Sequence, residues 1–145
     1  MLSSEFKEFV KLLNDRKVEY LLVGGYAVVF HGYVRYTGDI DFWIHPTKKN
    51  AVRIVEVLKQ FGFGSLNLGI EDFTNKDQII QLGYPPNRID LITSVAGLDF
   101  SESYPRRTSF EADGMTIQTI SLEDLKKNKK ASGRHKDLDD LENLK

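Results

Sequence analysis

The segment VGGYAVVFHGYVRYTGDIDFWI, residues 23–44, decides the fold of this chain. Two adjacent glycines, Gly24 and Gly25, follow an apolar run, and a spacer of thirteen residues then leads to the acids Asp39 and Asp41. The apolar run and the segment around the acids both predict strands, and the glycines predict a tight turn into a short helix. Burying a carboxylate costs free energy unless a partner neutralises it, so two acids in an otherwise apolar strand need an explanation.

The rest of the chain predicts helices and strands in alternation. Helices are expected over residues 3–16, 26–31, 47–61 and 97–104 and twice after Ser121, and strands over residues 19–23, 39–44, 77–82, 88–93, 108–112 and 115–120. Residues 63–76 favour neither type. The last two strands flank Asp113-Gly114, a strong hairpin signal. We therefore expect one α/β (α+β) domain over residues 1–145, with a mixed sheet flanked by helices and two helices at its C-terminal end.

Composition excludes several classes of function. The 145 residues carry a net charge of −1, which argues against a protein that coats nucleic acid through bulk electrostatics. There is no cysteine, so disulfides and thiolate metal sites are excluded. No apolar run is long enough to cross a membrane, and the N-terminal residues lack the apolar core of a signal peptide. We therefore expect a cytoplasmic protein.

The acid pair sits on one face of its predicted strand. Side chains alternate along a strand, so Asp39 and Asp41 point the same way, roughly 6.6 Å apart at about 3.3 Å per residue. Ile40, Phe42 and Ile44 point the other way and form a core face. Carboxylate oxygens are ligands that suit Mg²⁺ or Mn²⁺. The alternative is that Asp39 belongs to a turn and Asp41 pairs with a nearby Arg or Lys.

A third acid strengthens the metal interpretation. Asp90 lies on the predicted strand over residues 88–93, on the face opposite Ile89 and Leu91. If this strand lies beside the first, Asp90 completes a cluster of three carboxylates. Such a cluster can hold two divalent ions roughly 3.5–4 Å apart, which act on the two ends of a phosphoryl displacement. The alternative is that Asp90 pairs with Arg88 or Lys76.

The glycine pair suits a phosphate. Glycines let the backbone approach a ligand closely, and the start of a helix presents free N–H groups to an anion. The spacing matches neither a Walker A loop nor a dinucleotide fingerprint. The alternative is a tight turn that only brings helix and strand close together. The phosphate interpretation gains weight because the acids follow within one short strand–helix–strand unit.

The order of these motifs resembles the nucleotidyltransferase superfamily that includes DNA polymerase beta, which combines a glycine pair, Asp-x-Asp and a later third carboxylate. The spacer of thirteen residues is long for that superfamily. More narrowly, HGYVRYTGDID (residues 31–41) and LKKNKKASGRHKDLDDL (residues 125–141) resemble the AbiEii-type toxin branch. The resemblance implies a minimal nucleotidyltransferase fold.

The resemblance also implies roles for individual residues. It suggests Asp39, Asp41 and Asp90 as metal ligands and catalytic carboxylates, Lys129 as a catalytic lysine of the tail, and Gly24, Gly25, Arg35, Thr37 and Arg134 as nucleotide-binding residues. Asp137 matches another polar position of the tail. For Arg35, a plain salt bridge is an equal alternative. His31 and His45 are expected to be structural, and Trp43 is expected to cover the sheet.

The activity implied by the resemblance is transfer of a nucleoside monophosphate from a nucleoside triphosphate, such as ATP, to a hydroxyl acceptor with two Mg²⁺ or Mn²⁺ ions. The acceptor could be RNA or tRNA, a protein or a small molecule. Many members of the superfamily carry a further helical region that binds the acceptor, so a second copy of the chain or a helical partner protein is expected to supply that surface. The alternative is a non-catalytic module that acts as an antitoxin-like or partner subunit of a toxin–antitoxin pair. A generic metal-dependent phosphohydrolase also fits the acids but leaves the glycines unexplained.

Overall fold

The computed structural model describes residues 2–144 and contains one mixed sheet in that part of the chain. The strands are β1 (Tyr20–Val23), β2 (Ile40–Ile44), β3 (Ile79–Leu82), β4 (Ile89–Ile92), β5 (Thr108–Ala112) and β6 (Met115–Thr119). The helices are α1 (Ser4–Asp15), α2 (Gly24–Phe30), α3 (Lys48–Phe61), α4 (Glu71–Thr74), α5 (Phe100–Ser103), α6 (Leu122–Ser132) and α7 (His135–Asn143). The predicted fold class, a mixed sheet flanked by helices with two C-terminal helices, is confirmed.

The sheet order is β3-β4-β2-β1-β6-β5. β1 runs antiparallel to β2 and parallel to β6, whereas β2 runs parallel to β4. The edge strands β3 and β5 each pair antiparallel with one neighbour. The central pairing of β2 with β4 matters most, because it places the two acid-bearing strands side by side.

Helix ends follow the polar and glycine signals of the sequence. The Ser3, Thr47 and Ser121 hydroxyls accept hydrogen bonds from backbone N–H groups in the first turns of α1, α3 and α6. A side-chain acceptor at this position satisfies one of the otherwise unpaired N–H groups of the first turn. α3 and α6 end at Gly62 and Gly133, whose φ angles of 105° and 64° lie in the left-handed region. These boundaries are confirmed because the signals for them are local.

The face of β2 opposite the acids packs into the core. The Phe42 ring packs 5.6 Å from the Phe9 ring of α1 and 5.7 Å from the Tyr20 ring of β1, measured between centroids. Ile40 and Ile44 are buried as well. The alternation predicted for β2 is therefore correct, with Phe42 in the core and Asp41 on the other face.

Three segments differ from the sequence prediction. α2 begins at Gly24 instead of residue 26, so the glycine pair forms the first turn of the helix. Residues 63–76 form a short 3-10 turn followed by α4. The helix expected over residues 97–104 is reduced to α5, followed by a 3-10 turn over Tyr104–Arg106 that contains Pro105. Proline lacks the N–H group that an α-helix interior requires. Within residues 2–144, no helix has the length and apolar character needed to cross a bilayer.

Candidate functional site

The candidate site is an open cavity of about 460 Å³ on the acid-bearing face of the sheet. Asp41 of β2 stands opposite Asp90 of β4 in the strand register, and Asp39 lies directly before β2. These three acids line the cavity with Gly24 and Gly25. The spatial condition for a three-carboxylate cluster, that Asp90 lies beside the Asp39–Asp41 pair, is therefore met. It is met because β2 and β4 are neighbours in the sheet, although Asp41 and Asp90 are 49 positions apart in the chain.

The glycine pair is required by close packing against the site. A Cβ atom at Gly24 would overlap the Oδ2 atom of Asp41, and the φ angle of Gly24 is +69°. A Cβ atom at Gly25 would overlap the Thr37 hydroxyl. An L side chain at position 24 would therefore clash and also adopt a rarely populated backbone conformation. The glycines bring the start of α2 into direct contact with the Asp41 carboxylate.

Asp41 is the acid whose ionisation the site disfavours most. Burial raises the pKa of the Asp41 carboxyl from 3.8 to about 7, and the Asp90 carboxylate adds to this rise through charge repulsion and a hydrogen bond with Asp41. Asp39 contributes further repulsion, while the Lys129 ammonium acts in the opposite direction. An additional positive charge beside Asp41 would offset these effects.

Arg88 supplies a positive charge to the other two acids. Its Nη2 group donates to Asp39 Oδ2 at 2.6 Å and to Asp90 Oδ2 at 3.0 Å, and its Nε donates to Asp90 Oδ1 at 2.8 Å. The sequence offered the Arg88–Asp90 pair as an alternative to metal binding, and the structure contains that pair. The link from Arg88 to Asp39 was not predicted, because it depends on the neighbouring strands β2 and β4.

The carboxylates of Asp39, Asp41 and Asp90 suit a hard cation, although two of them, Asp39 and Asp90, bind the Arg88 guanidinium in this structure. Three carboxylates converge on one cavity wall, which is the ligand chemistry of Mg²⁺ and Mn²⁺. Within residues 2–144, no group of three or more acids, histidines or cysteines is arranged to hold a metal ion. The reason visible in the structure is that Asp39 and Asp90 turn toward Arg88. The acids thus already bind a cation, and that cation belongs to the protein.

A network of charges around the buried residues Lys129, Asp137 and Asp140 lies beside the acids. Lys129 of α6 is only 4% exposed, and its Nζ lies 3.3 Å from Asp137 Oδ1 and 3.1 Å from Asp140 Oδ2. Arg134 donates to Asp137 at 2.7 Å, and Arg35 makes two bonds to Asp140 at 2.8 and 2.9 Å. Lys129 and Arg134 line the cavity. α7 therefore holds the lysine of α6 in place beside the acids.

The sequence did not single out Asp140. The last helix was recognised through its leucines, yet Leu138 is 46% exposed, whereas Asp137 and Asp140 are buried. The available signal was the spacing of these two acids, since residues three apart lie on one helix face. α7 thus turns an acidic face inward because Lys129 and Arg35 neutralise it.

Arg35 and Thr37 lie beside the glycines and outside the cavity wall. Arg35 makes the salt bridge with Asp140 that was one of its two interpretations. The Thr37 hydroxyl faces the space above Gly25. The nucleotide-binding role expected for both residues stays a prediction.

Trp43, His31 and His45 contact other residues of the fold. His31 Nε2 lies 2.7 Å from the Ile120 carbonyl oxygen, and His45 Nδ1 lies 2.6 Å from Glu19 Oε1. Trp43 is buried with its ring edge-on to Phe100. These contacts fit the expectation that the histidines are structural and that Trp43 covers the sheet.

A second groove, of about 590 Å³, has different chemistry. Its lining includes Asn14, Lys17, Arg53 and Tyr104, and Glu19 is the one acid among its described lining residues. Glu19, with Lys17 and Arg53 in the same lining, does not form a cluster of carboxylates. The smaller acid-lined cavity is therefore the candidate active site.

Comparison with known proteins agrees with the geometry. Over residues 1–145 the sequence matches the family described as nucleotidyltransferase of unknown function (DUF6036), and the chain belongs to this family. No curated protein matches the sequence. The match supports the superfamily inferred from the motifs, and the narrower AbiEii-type toxin branch stays a prediction.

Solved structures share the fold at low sequence identity. A Thermotoga maritima protein described as a candidate nucleotidyltransferase superposes with a TM-score of 0.62 at 16% identity, covering 99% of this chain and 94% of its own. The lincosamide antibiotic adenylyltransferase LnuA, bound to lincomycin, gives 0.57 at 17% identity, with 99% and 96% coverage. The antibiotic-resistance factor ANT(2'')-Ia gives 0.55 at 14% identity, with 96% and 80% coverage.

Proposed function

We propose that this member of a nucleotidyltransferase family transfers a nucleoside monophosphate from a nucleoside triphosphate to a hydroxyl group of an acceptor, with Mg²⁺ or Mn²⁺ at Asp39, Asp41 and Asp90. One observation carries the proposal. Asp41 and Asp90 face each other across β2 and β4, directly beneath the glycine turn that touches Asp41. A phosphate-facing turn against a carboxylate pair is the arrangement that phosphoryl chemistry needs.

The residues of the chain take complementary parts in this proposal. Gly24 and Gly25 border the cavity at the start of α2, where backbone N–H groups would meet the triphosphate, and Lys129 and Arg134 present positive charge to the same cavity. Asp90 accepts the proton of the attacking hydroxyl, whose oxygen bonds to the α-phosphorus while the bond to the β-phosphate breaks and pyrophosphate leaves. Bound divalent ions, two of them in this proposal, would stabilise the charge that develops on the α-phosphate. The raised pKa of Asp41 fits a site that lacks enough positive charge until a cation arrives.

The donor and the acceptor are proposed at different levels of detail. The name of one structural neighbour, LnuA, describes an adenylyltransferase, so we propose ATP as the first donor to test. That structure is bound to the antibiotic lincomycin, which supports testing a small hydroxyl compound beside RNA, tRNA and protein as acceptors. A homodimer or a helical partner protein, a toxin–antitoxin context and a cytoplasmic location stay predictions from the sequence.

Label transfer tests the proposed activity. The full chain is incubated with α-³²P-labelled nucleoside triphosphates, Mg²⁺ or Mn²⁺, and RNA, protein and small-molecule acceptors. We expect transfer of label that depends on the metal and is lost in Asp41→Asn. Asp113→Asn is the matched control, because Asp113 lies in the β5–β6 turn with a φ of 51° that asparagine also adopts. Absence of transfer to every acceptor, together with no metal-dependent nucleotide binding, would refute the proposal.

A second candidate function, a non-catalytic partner subunit, has one observation in its favour. Arg88 pairs with two of the three acids, as it would in a site that no longer binds metal. The two functions differ in what the acids do in the cell. If the biological effect survives both Asp39→Ala and Asp41→Ala, the partner function is supported and catalysis is excluded as its cause.

A further inference from the structure

Arg88 and a divalent metal would compete for the carboxylates of Asp39 and Asp90. The guanidinium uses Asp39 Oδ2 and both carboxylate oxygens of Asp90 at 2.6–3.0 Å. Hydrogen bonds between two charged groups at such distances are among the strongest in proteins. A metal bound to both acids would repel the guanidinium and compete with it for these carboxylates, above all for Asp90, whose two oxygens both bind Arg88.

Arg88 is placed so that it can leave. Its side chain is 26% exposed and lines the cavity. By contrast, Lys129, which lines the same cavity, is 5% exposed at its side chain and is held by two buried acids. A guanidinium on a flexible stem at the edge of an open cavity can turn into that cavity without unfolding its strand.

The cavity offers a second use for the freed guanidinium. Gly24 and Gly25 border the same space, where the proposed function puts the triphosphate. A planar guanidinium binds phosphate oxygens through two parallel N–H groups, the same geometry with which it now holds Asp90. The side chain therefore has one partner when the acids are free and a chemically equivalent one when nucleotide is bound.

We propose that Arg88 is an exchangeable counter-ion: it neutralises Asp39 and Asp90 in the metal-free protein, is displaced when a divalent metal binds them, and then binds a phosphate of the nucleotide. This inference rests on the proposed function. It assigns Arg88 two opposite effects, competition with the metal and assistance to the nucleotide. No merely structural salt bridge would produce both.

Binding measurements on the full chain separate these effects. Mn²⁺ affinity is measured by calorimetry without nucleotide for wild type, Arg88→Gln and Arg88→Lys. We expect Arg88→Gln to bind Mn²⁺ about tenfold to a hundredfold more tightly, because the competing cation is gone. With saturating Mn²⁺, Arg88→Gln should bind α,β-methylene ATP about tenfold more weakly than wild type. In both assays the affinity of Arg88→Lys should lie between those of wild type and Arg88→Gln.

Arg106→Gln is the matched control. Arg106 also holds an aspartate, Asp124, through two hydrogen bonds at 3.0 and 3.1 Å, and Arg106 does not line the cavity. We expect this variant to leave both affinities unchanged, and thermal unfolding shows whether each variant is folded. A gain in Mn²⁺ affinity shared by both arginine variants would overturn the inference, because it would then reflect general loosening.

The arginine side chain can also be followed directly. In a ¹H–¹⁵N spectrum the Nε–Hε resonance of Arg88, assigned by its loss in Arg88→Lys, should shift as Mg²⁺ is added without nucleotide. Equal Mn²⁺ affinity in wild type and Arg88→Gln would overturn this inference and leave the proposed function standing. The same holds if Mg²⁺ binds but the Nε–Hε resonance of Arg88 does not shift. Failure of all the proteins to bind Mn²⁺ overturns the metal-dependent function and this inference with it.

Discussion

Replacing Asp41 with asparagine should make the metal-free protein more stable, although it should abolish the proposed activity. Burial and the neighbouring Asp90 raise the pKa of Asp41 from 3.8 to about 7. The folded protein therefore holds a proton that the unfolded chain releases, and stability is lost as the pH rises from about 4 to about 7. An asparagine side chain stays neutral over this range and retains nearly the same shape.

The size of the effect follows from the shift in pKa. A rise from 3.8 to about 7 spans about three pH units, and about 1.4 kcal/mol per unit amounts to about 4 kcal/mol at pH 8. At pH 5 the pH lies only about 1.2 units above the unfolded-state pKa of 3.8, so the loss of stability is about 2 kcal/mol. Asp41→Asn should therefore exceed wild type by about 4 kcal/mol at pH 8 and by about 2 kcal/mol at pH 5.

Chemical denaturation in EDTA at both pH values measures this difference. Taking variant minus wild type at each pH cancels the contributions of titrating groups that do not interact with Asp41, whereas Asp39, Asp90 and Lys129 stay part of the difference. Asp113→Asn, on the exposed β5–β6 turn, should stay within about 0.5 kcal/mol of wild type at both pH values. A stability difference for Asp41→Asn that is the same at pH 5 and pH 8, or a loss of stability at both, would refute the electrostatic reasoning. Mg²⁺ should then stabilise wild type and leave Asp41→Asn unchanged.

Three further perturbations test other parts of the structure. Asp140→Asn should lower the free energy of unfolding by about 2–4 kcal/mol in denaturant unfolding, because Lys129 and Arg35 lose a buried charged partner. Asp139→Asn, one residue away and exposed, should lower it by less than about 1 kcal/mol. Equal losses in the two variants would contradict the buried network. Gly24→Ala should lower the melting temperature more than Gly32→Ala. Both residues have positive φ, but only at position 24 would the added Cβ clash with Asp41. An equal loss in the two variants would rule out this clash. Burial raises the pKa of the Tyr20 hydroxyl to about 12, so wild type should lose stability between about pH 10 and pH 12, by up to about 3 kcal/mol. Tyr20→Phe should lack that alkaline loss in denaturant unfolding at pH 9 and pH 11.5, and a loss of the same size in both proteins would show that Tyr20 is not its source.

Much of the fold is predictable because its signals are local. Ser3 and Ser121 begin helices, Gly62 and Gly133 end them, and Asp113-Gly114 turns the hairpin. Each signal acts within four residues of the chain, so no knowledge of distant segments is needed. The alternation of Asp41 and Phe42 across β2 is equally local, since it follows from the pleat of a strand.

The candidate site is predictable only in part. The sequence determined that Gly24, Gly25, Asp39 and Asp41 belong to one strand–helix–strand unit, and that Asp90 occupies the polar face of another strand. Tertiary structure decided that β2 and β4 are neighbours, which places Asp90 opposite Asp41 and lets Arg88 reach Asp39. It also decided that α7 turns Asp137 and Asp140 inward against Lys129. Local signals set the direction of each side chain from its own backbone, whereas the partner of a charged group depends on which distant segment packs against it.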